Sequence, residues 1–336
     1  MSAAAHESAP FGAVFTDRLS MSRWDGTSFE EPHLEPVGPL PIHPAAHVLH
    51  YSSSVFEGLK AHLGLNGELR LFRLDRHAER MQQSARLLCL PVPDRDLIEK
   101  MIIDVVHDAR DAIPAPPGSL YLRPTLIGTE ANVGAAAAPS GQALLYVLAS
   151  PVGDYFSGGI RPLRVVVEEK RPRSTPTFGM AKTGANYAAA LGLIMEAKHT
   201  HSADQVLFAP GGDVQETGAA NFILLDDNRV LTKPLDPSFL PGVTRDSVLV
   251  IARDLGYEVV EEDFTIEDML EFAEDGEAAL SGTAAVLAGV GTIVRDGRDH
   301  PVGGGQVGPN TLRLRAALTA LQTGSAPDPH GWIRRV

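Results

Sequence analysis

Only six lysines occur in this 336-residue chain, and one of them stands apart. Lys100 and Lys198 lie among charged helix neighbours, and Lys170 lies within Glu168-Glu169-Lys170-Arg171, all solvated settings. Lys182 instead sits in Phe178-Gly179-Met180-Ala181-Lys182-Thr183-Gly184-Ala185-Asn186-Tyr187, among small, neutral or apolar side chains. An ammonium kept from water loses its preference for the charged form, and the neutral amine is a nucleophile suited to Schiff-base chemistry. A loop lysine ahead of a helix N-terminus gives the same pattern, so Lys182 alone decides nothing.

Anion-binding candidates lie elsewhere. Leu240-Pro241-Gly242-Val243-Thr244-Arg245-Asp246 places a Pro-Gly turn before a helix, with Thr244 as the expected N-cap. Free N–H groups and the positive end of the helix dipole would meet there, which suits a phosphate; an ordinary capped helix reads the same way. Ser281-Gly282-Thr283-Ala284-Ala285 offers amides and a hydroxyl after a strand, as many tight turns do. In Tyr121-Leu122-Arg123-Pro124 a strand would turn Tyr121 and Arg123 to one face, where the arginine could grip a carboxylate or simply mark a sheet edge. Glu216, next to a turn, is the carboxylate best placed to act on a cofactor, although surface glutamates are commoner.

Several chemistries find no support. His43, His47 and His50 resemble metal-ligand spacing, but no HExxH and no matching carboxylate accompany them. There is no G-x-S-x-G elbow, no phosphate-binding Gly-Lys-Ser/Thr loop, and no G-x-G-x-x-G opening a helix after a strand. The single cysteine, Cys89, forbids an intrachain disulfide or a thiolate cluster. A net charge of −13 repels phosphate backbones and anionic lipid, so nucleic acid and membrane are not expected partners. Residues 1–15 show no signal-peptide pattern, and Ala278 to Val294 is too short and Gly-rich for a bilayer span. A cytoplasmic protein is expected.

The elements that must position these residues form an α/β pattern. Strands are expected at Leu69–Leu74, Ser119–Ile127, Gln142–Ala149, Leu163–Glu168, Gln205–Phe208, Asn221–Leu225, Arg229–Thr232, Tyr257–Glu262 and Glu277–Leu280. Helices are expected after Asp75, read as an N-cap, and over Asp94–Ala109, Asn186–Lys198, Arg245–Leu255 and Asn310–Leu321. With 44% hydrophobic and 21% charged residues the chain is globular, and its length favours two domains over one. The expected division is a smaller N-terminal domain over 1–149, a linker at 150–160 rich in Gly and Pro, and a larger C-terminal domain over 161–336.

Five segments together resemble a known family. Tyr51-Ser52-Ser53-Ser54-Val55-Phe56-Glu57-Gly58-Leu59-Lys60, the run from Tyr121 to Glu130, Ala181 to Tyr187, Leu240 to Asp246 and Ser281 to Ala285 are similar, in the same order, to segments of the branched-chain amino acid aminotransferases. The resemblance implies a pyridoxal-phosphate enzyme of fold type IV, with a small N-terminal α/β domain, a larger C-terminal domain with a pseudo-barrel, and a homodimer. It implies that Lys182 bonds the cofactor and moves the substrate proton, that Glu216 lies beside the pyridine nitrogen, and that Tyr187 bonds the ring oxygen. Arg80, the Val243 and Thr244 amides and the Thr283 hydroxyl would hold the phosphate. Tyr121 with the Thr283 and Ala284 amides would hold the substrate α-carboxylate. Phe56, Tyr51 and Tyr187 would line an apolar pocket, and Arg123 with Tyr51 would accept the distal carboxylate of glutamate.

The implied reaction transfers the amino group of leucine, isoleucine or valine to 2-oxoglutarate. D-amino acid aminotransferases and aminodeoxychorismate lyases share the scaffold and are the rival readings; a non-catalytic anion binder is a remoter one. Three positions depart from relatives. Ala219 replaces a polar residue of some, and Ala285 and Ala288 stand where mammalian members carry cysteines, which leaves no thiol pair there to oxidise.

Overall fold

Strands outnumber helices because many apolar runs are short, rich in Val, Ile and Leu, and punctuated by Gly, Pro and Asp. In the computed structural model, which describes residues 11–155 and 159–336, these runs assemble into two sheets. The chain forms two compact units. One takes the chain up to Ser157 together with Ala181–Ala185 and Leu321–Val336; the other takes Gly158–Met180 and Asn186–Ala320. Residues 156–158, inside the expected linker, lie outside the described residues, and Ser150 to Val152 belong to a strand.

The first unit contains β1 (Arg18–Trp24), β2 (His33–Pro36), α1 (His47–Tyr51), β3 (Ser54–Phe56), β4 (Leu59–Leu63), β5 (Leu69–Phe72), α2 (Leu74–Leu87), α3 (Arg95–Asp108), β6 (Ser119–Gly128) and β7 (Ala143–Val152). Its sheet order is Ile333–Arg335, β5, β4, β6, β7, β1, β2, with β3 also on β6. Every residue of β6 but Arg123 is buried, which accounts for its nearly unbroken apolar run. β6 pairs with β4 through residues 120–122 and with β3 through residues 125–127. Pro124, which has no N–H to give, falls in the gap between them, and there its carbonyl accepts from the Glu57 N–H at 2.8 Å. Ala78, Met81 and Ala85 of α2 and Ile98, Met101 and Ile102 of α3 share one core with Leu59, Leu71, Leu122 and Leu145.

The start of α2 differs from expectation. Its N-cap is Arg73, held at φ 51° with its N–H on the Trp332 carbonyl, and Asp75 lies inside the first turn. There the aspartate faces the positive end of the helix dipole instead of capping it.

The second unit contains β8 (Leu163–Glu168), most of α4 (Gly184–His201), β9 (Gln205–Phe208), β10 (Asn221–Leu225), β11 (Arg229–Thr232), α5 (Val243–Asp254), β12 (Glu258–Glu261), α6 (Ile266–Asp275), β13 (Glu277–Gly282), β14 (Val286–Arg295), β15 (Arg298–Pro301) and most of α7 (Pro309–Thr323). The sheet order is β12, β11, β10, β13, β14, β8, β9, with β15 on the far part of β14. β8 and β9 are parallel, as are β11 and β12, because α4 and α5 are their crossover helices. The other expected N-cap, Thr244, also lies inside its helix; α5 is preceded by Gly242, which has no side chain to cap it. No helix among the described residues is long and apolar enough to cross a membrane.

Candidate active site

Lys182 is held by its backbone, almost as an extra residue of β3. Its N–H donates to Ser84 Oγ at 3.0 Å, and its carbonyl accepts from the Phe56 N–H at 3.0 Å. Thr183 forms a bridge with Val55, and its hydroxyl donates to the Ser54 carbonyl at 2.7 Å. The ammonium lies 5.0 Å from the centre of the Phe56 ring, within cation–π range. A side chain whose backbone is fixed on both sides can swing only at its tip, which is what a covalent nucleophile needs.

One face of α2 supplies the polar groups around it. His77, Arg80 and Ser84 are all buried, at helical spacing. Arg80 forks onto Glu57, with Nε 2.7 Å from Oε1 and Nη2 2.9 Å from Oε2, and His77 Nδ1 lies 2.7 Å from the same carboxylate. Burial pushes the Glu57 carboxyl up, but Arg80 and His77 outweigh it and hold it far below the usual carboxylate range. Burial pushes His77 down, and the charges of Arg80 and Lys182 add to that against the pull of Glu57. The cluster is therefore a buried ion pair with the His77 imidazole bonded beside it.

On β6, Tyr121 and Arg123 share a face as expected, and Arg123 Nη2 donates to the Tyr121 hydroxyl at 2.8 Å. The guanidinium stacks 4.6 Å from the Phe56 ring centre, and its buried Nε has no hydrogen-bond partner among the described residues. Buried donors left unpaired are rare and can be met by water or a ligand. A Cβ on Gly58 would overlap the Tyr121 hydroxyl and push the phenol aside. Phe11 adds an edge contact to Tyr121, its ring centre 4.9 Å away.

In the second unit Glu216 is 2% exposed and fully engaged. Arg173, 1% exposed, brings Nη1 to 2.7 Å of Oε1 as an ion pair. The Leu240 N–H donates to Oε1 at 3.0 Å, and Asn221 Nδ2 donates to Oε2 at 3.0 Å and to the Leu240 carbonyl at 2.9 Å. Arg173 Cζ also lies 5.6 Å from the Tyr187 ring centre. The strap from Glu216 to Leu240 fixes the approach to α5. Val243 and Thr244, its first two residues, are 7% and 8% exposed, and no side chain caps them. A buried helix N-terminus without a cap suits a negatively charged group. The Thr283–Ala285 turn joins β13 to β14.

Tyr51 is the last residue of α1 in the first unit. Its hydroxyl bonds the Val133 carbonyl, its ring meets His47 and His50, and none of these contacts is to Phe56, Tyr121 or Arg123. The three histidines serve structure. His47 bonds Ser53 Oγ at 2.8 Å, His50 bonds the Pro44 carbonyl at 2.9 Å, and His43 Nδ1 accepts from the Ala45 N–H at 3.1 Å. Among the described residues no group of His, Cys, Asp and Glu could hold a metal ion.

A family model for amino-transferase class IV matches residues 54–293, from the start of β3 to near the end of β14. This chain belongs to the class IV aminotransferases. The family's span takes in Phe56, Arg80, Lys182, Glu216, the start of α5 and the Thr283 turn. The chain is 40% identical over 334 residues to a probable branched-chain-amino-acid aminotransferase of Streptomyces coelicolor, covering 96% of this chain and 91% of that one. It is 37% identical to the branched-chain-amino-acid aminotransferase of Mycobacterium tuberculosis, covering 97% and 92%. A crystal structure of a T.th. branched-chain amino acid aminotransferase with pyridoxamine 5'-phosphate superposes with a TM-score of 0.79 at 29% identity, covering 96% of this chain and 99% of that one. The class IV fold thus accounts for the whole mixed α/β architecture.

Four residues with prominent polar contacts, two in each unit, escaped the sequence reading. Ser84, Glu57, Arg173 and Asn221 act through partners between 5 and 98 residues away. Arg173 sits in Lys170-Arg171-Pro172-Arg173, which reads as solvated surface, so nothing in its neighbourhood announced it.

Proposed function

We propose that this class IV aminotransferase exchanges the amino group of leucine, isoleucine or valine with 2-oxoglutarate, using pyridoxal 5'-phosphate. The observation that carries the substrate reading is Arg123 stacked on Phe56 with its buried Nε unpartnered among the described residues. An apolar ring suits a branched alkyl group, and the arginine beside it suits the distal carboxylate of the partner acid. The names of the relatives favour this reading over D-amino acid transfer or lyase chemistry.

The residues present fit the cofactor. The uncapped, buried start of α5 matches a phosphate, the buried Glu216 matches a ring nitrogen, and the backbone-fixed Lys182 matches an aldehyde. When bound, pyridoxal phosphate supplies the electron sink that stabilises charge at the substrate Cα. The Val243 and Thr244 amides, the Thr283 hydroxyl and Arg80 would hold the phosphate. Glu216, oriented by Arg173, Asn221 and the Leu240 N–H, would hold the proton on the ring nitrogen, and Tyr187 would donate to the ring oxygen. The Lys182 amine would take the Cα proton and return it on the other side of the transfer, acting as general base and then acid. Tyr121 and the Thr283 and Ala284 amides would orient the α-carboxylate, with Phe56, Tyr51 and Tyr187 around the side chain. Passing one amino group through the enzyme between two substrates gives ping-pong kinetics.

The same proposal places the enzyme in the cytoplasm as a homodimer. Ala188, Leu191 and Met195 form an exposed apolar stripe along α4, which supports association, and mass in solution checks it. The reaction is tested by a steady-state panel of amino donors with 2-oxoglutarate. L-Leucine, L-isoleucine and L-valine should turn over, and D-alanine should not; activity confined to D-alanine, or pyruvate release without amino acceptor, would overturn the reading.

A further inference from the structure

Helix α7 is anchored on β13. Glu277, the first residue of β13, accepts from the N–H groups of Asn310 and Thr311, both at 2.8 Å, and from the Thr311 hydroxyl at 2.7 Å. About one helical turn further along α7, Arg315 Nη1 donates to the Ala285 carbonyl and, at 2.9 Å, to the Leu287 carbonyl. Those two carbonyls flank Val286, whose φ of 62° puts a β-branched residue in the left-handed region. That conformation is rare and persists only where the surroundings enforce it. The strained residue closes the Thr283–Ala285 turn, so a relaxation at Val286 would re-aim the turn's amides and the Thr283 hydroxyl.

We propose that Arg315 is a positioning residue for the reaction: its clasp on both sides of Val286 holds the Thr283–Ala285 turn in the conformation that receives the anionic groups of the ligands. The inference rests on the role proposed above for that turn. Arg315 touches no reacting atom. It acts through the backbone, and the anchoring of α7 by Glu277 sets its reach. Glycine at position 286 would adopt the same φ without enforcement, so the need for the clasp should vanish with the strain.

The test is a double-mutant cycle on the holoenzyme with Arg315→Ala, Val286→Gly and the pair, and with Arg315→Lys as the conservative variant. Two charge-assisted hydrogen bonds are lost in Arg315→Ala, so KM for leucine and for 2-oxoglutarate should rise about tenfold while kcat changes less than about threefold. Arg315→Lys should recover part of the loss. In the Val286→Gly background the effect of Arg315→Ala should shrink below about threefold, and the unfolding midpoints should be non-additive in the same sense. Equal effects in both backgrounds would overturn the clasp. A fall in unfolding midpoint with KM unchanged would overturn the positioning role. A wild-type enzyme inert towards every donor would instead sink the proposed reaction, and the unfolding cycle would still decide the clasp, since it needs no substrate.

Discussion

The Lys182 N–H donates to Ser84 Oγ across 98 residues of sequence, tying Lys182 to α2 by its main chain. Ser84 is fully buried, and its removal takes the hydroxyl acceptor away from the Lys182 N–H. Ser84→Ala should lower stability to denaturant by about 1–3 kcal/mol. It should also lower kcat about tenfold with little change in KM, because the lysine tip loses its fixed base. An unchanged kcat in a folded variant would show that the backbone hold is dispensable.

Gly242 approaches Asn221 so closely that a Cβ there would overlap Asn221 Oδ1. Asn221 in turn spans Glu216 and the Leu240 carbonyl. Gly242→Ala should displace both the start of α5 and the Glu216 carboxylate, at a packing cost of about 1–3 kcal/mol. Cofactor titration followed by absorbance should show affinity weakened about tenfold or more. Affinity equal to wild type would separate Gly242 from the phosphate site.

His62 on β4 is 5% exposed, and neither ring nitrogen has a partner among the described residues. Burial first, and then the charges of Lys60 and Arg70, push its pKa down to about 3. An unfolded histidine titrates at about 6.5. Between those values the unfolded chain binds a proton that the folded one refuses, so stability falls as pH falls, by up to about 1.4 kcal/mol per pH unit. In His62→Leu, denaturation measured from pH 7 down to pH 4 should show a slope shallower by about 1 kcal/mol per unit. An identical slope would remove His62 from the acid sensitivity of the fold.

Short-range signals made much of this site legible. Lys182 stood out by the small neutral residues beside it, and Tyr121 and Arg123 by the period of a strand. The long helices α3, α4, α5 and α7 and the apolar strands were found to within a few residues. Caps were not. Thr244 and Asp75 are good capping types, but a cap is decided by where the chain turns, and Gly242 and Arg73 turn it. β1 to β4 were missed because their runs are short or polar and lean in part on distant partners, as β1 does on β7. Glu57 carried no visible role because its meaning lies in His77 and Arg80, on a helix 20 and 23 residues further along the chain.

The central claim is that the amine of Lys182 bonds the cofactor. Borohydride reduction of the holoenzyme followed by peptide mapping reads that bond directly. The expected result is a single pyridoxyl label on the peptide carrying Lys182, lost in Lys182→Ala together with turnover. A label on Lys60, Lys233 or any other residue, or a reduced enzyme with no label at all, would contradict the account.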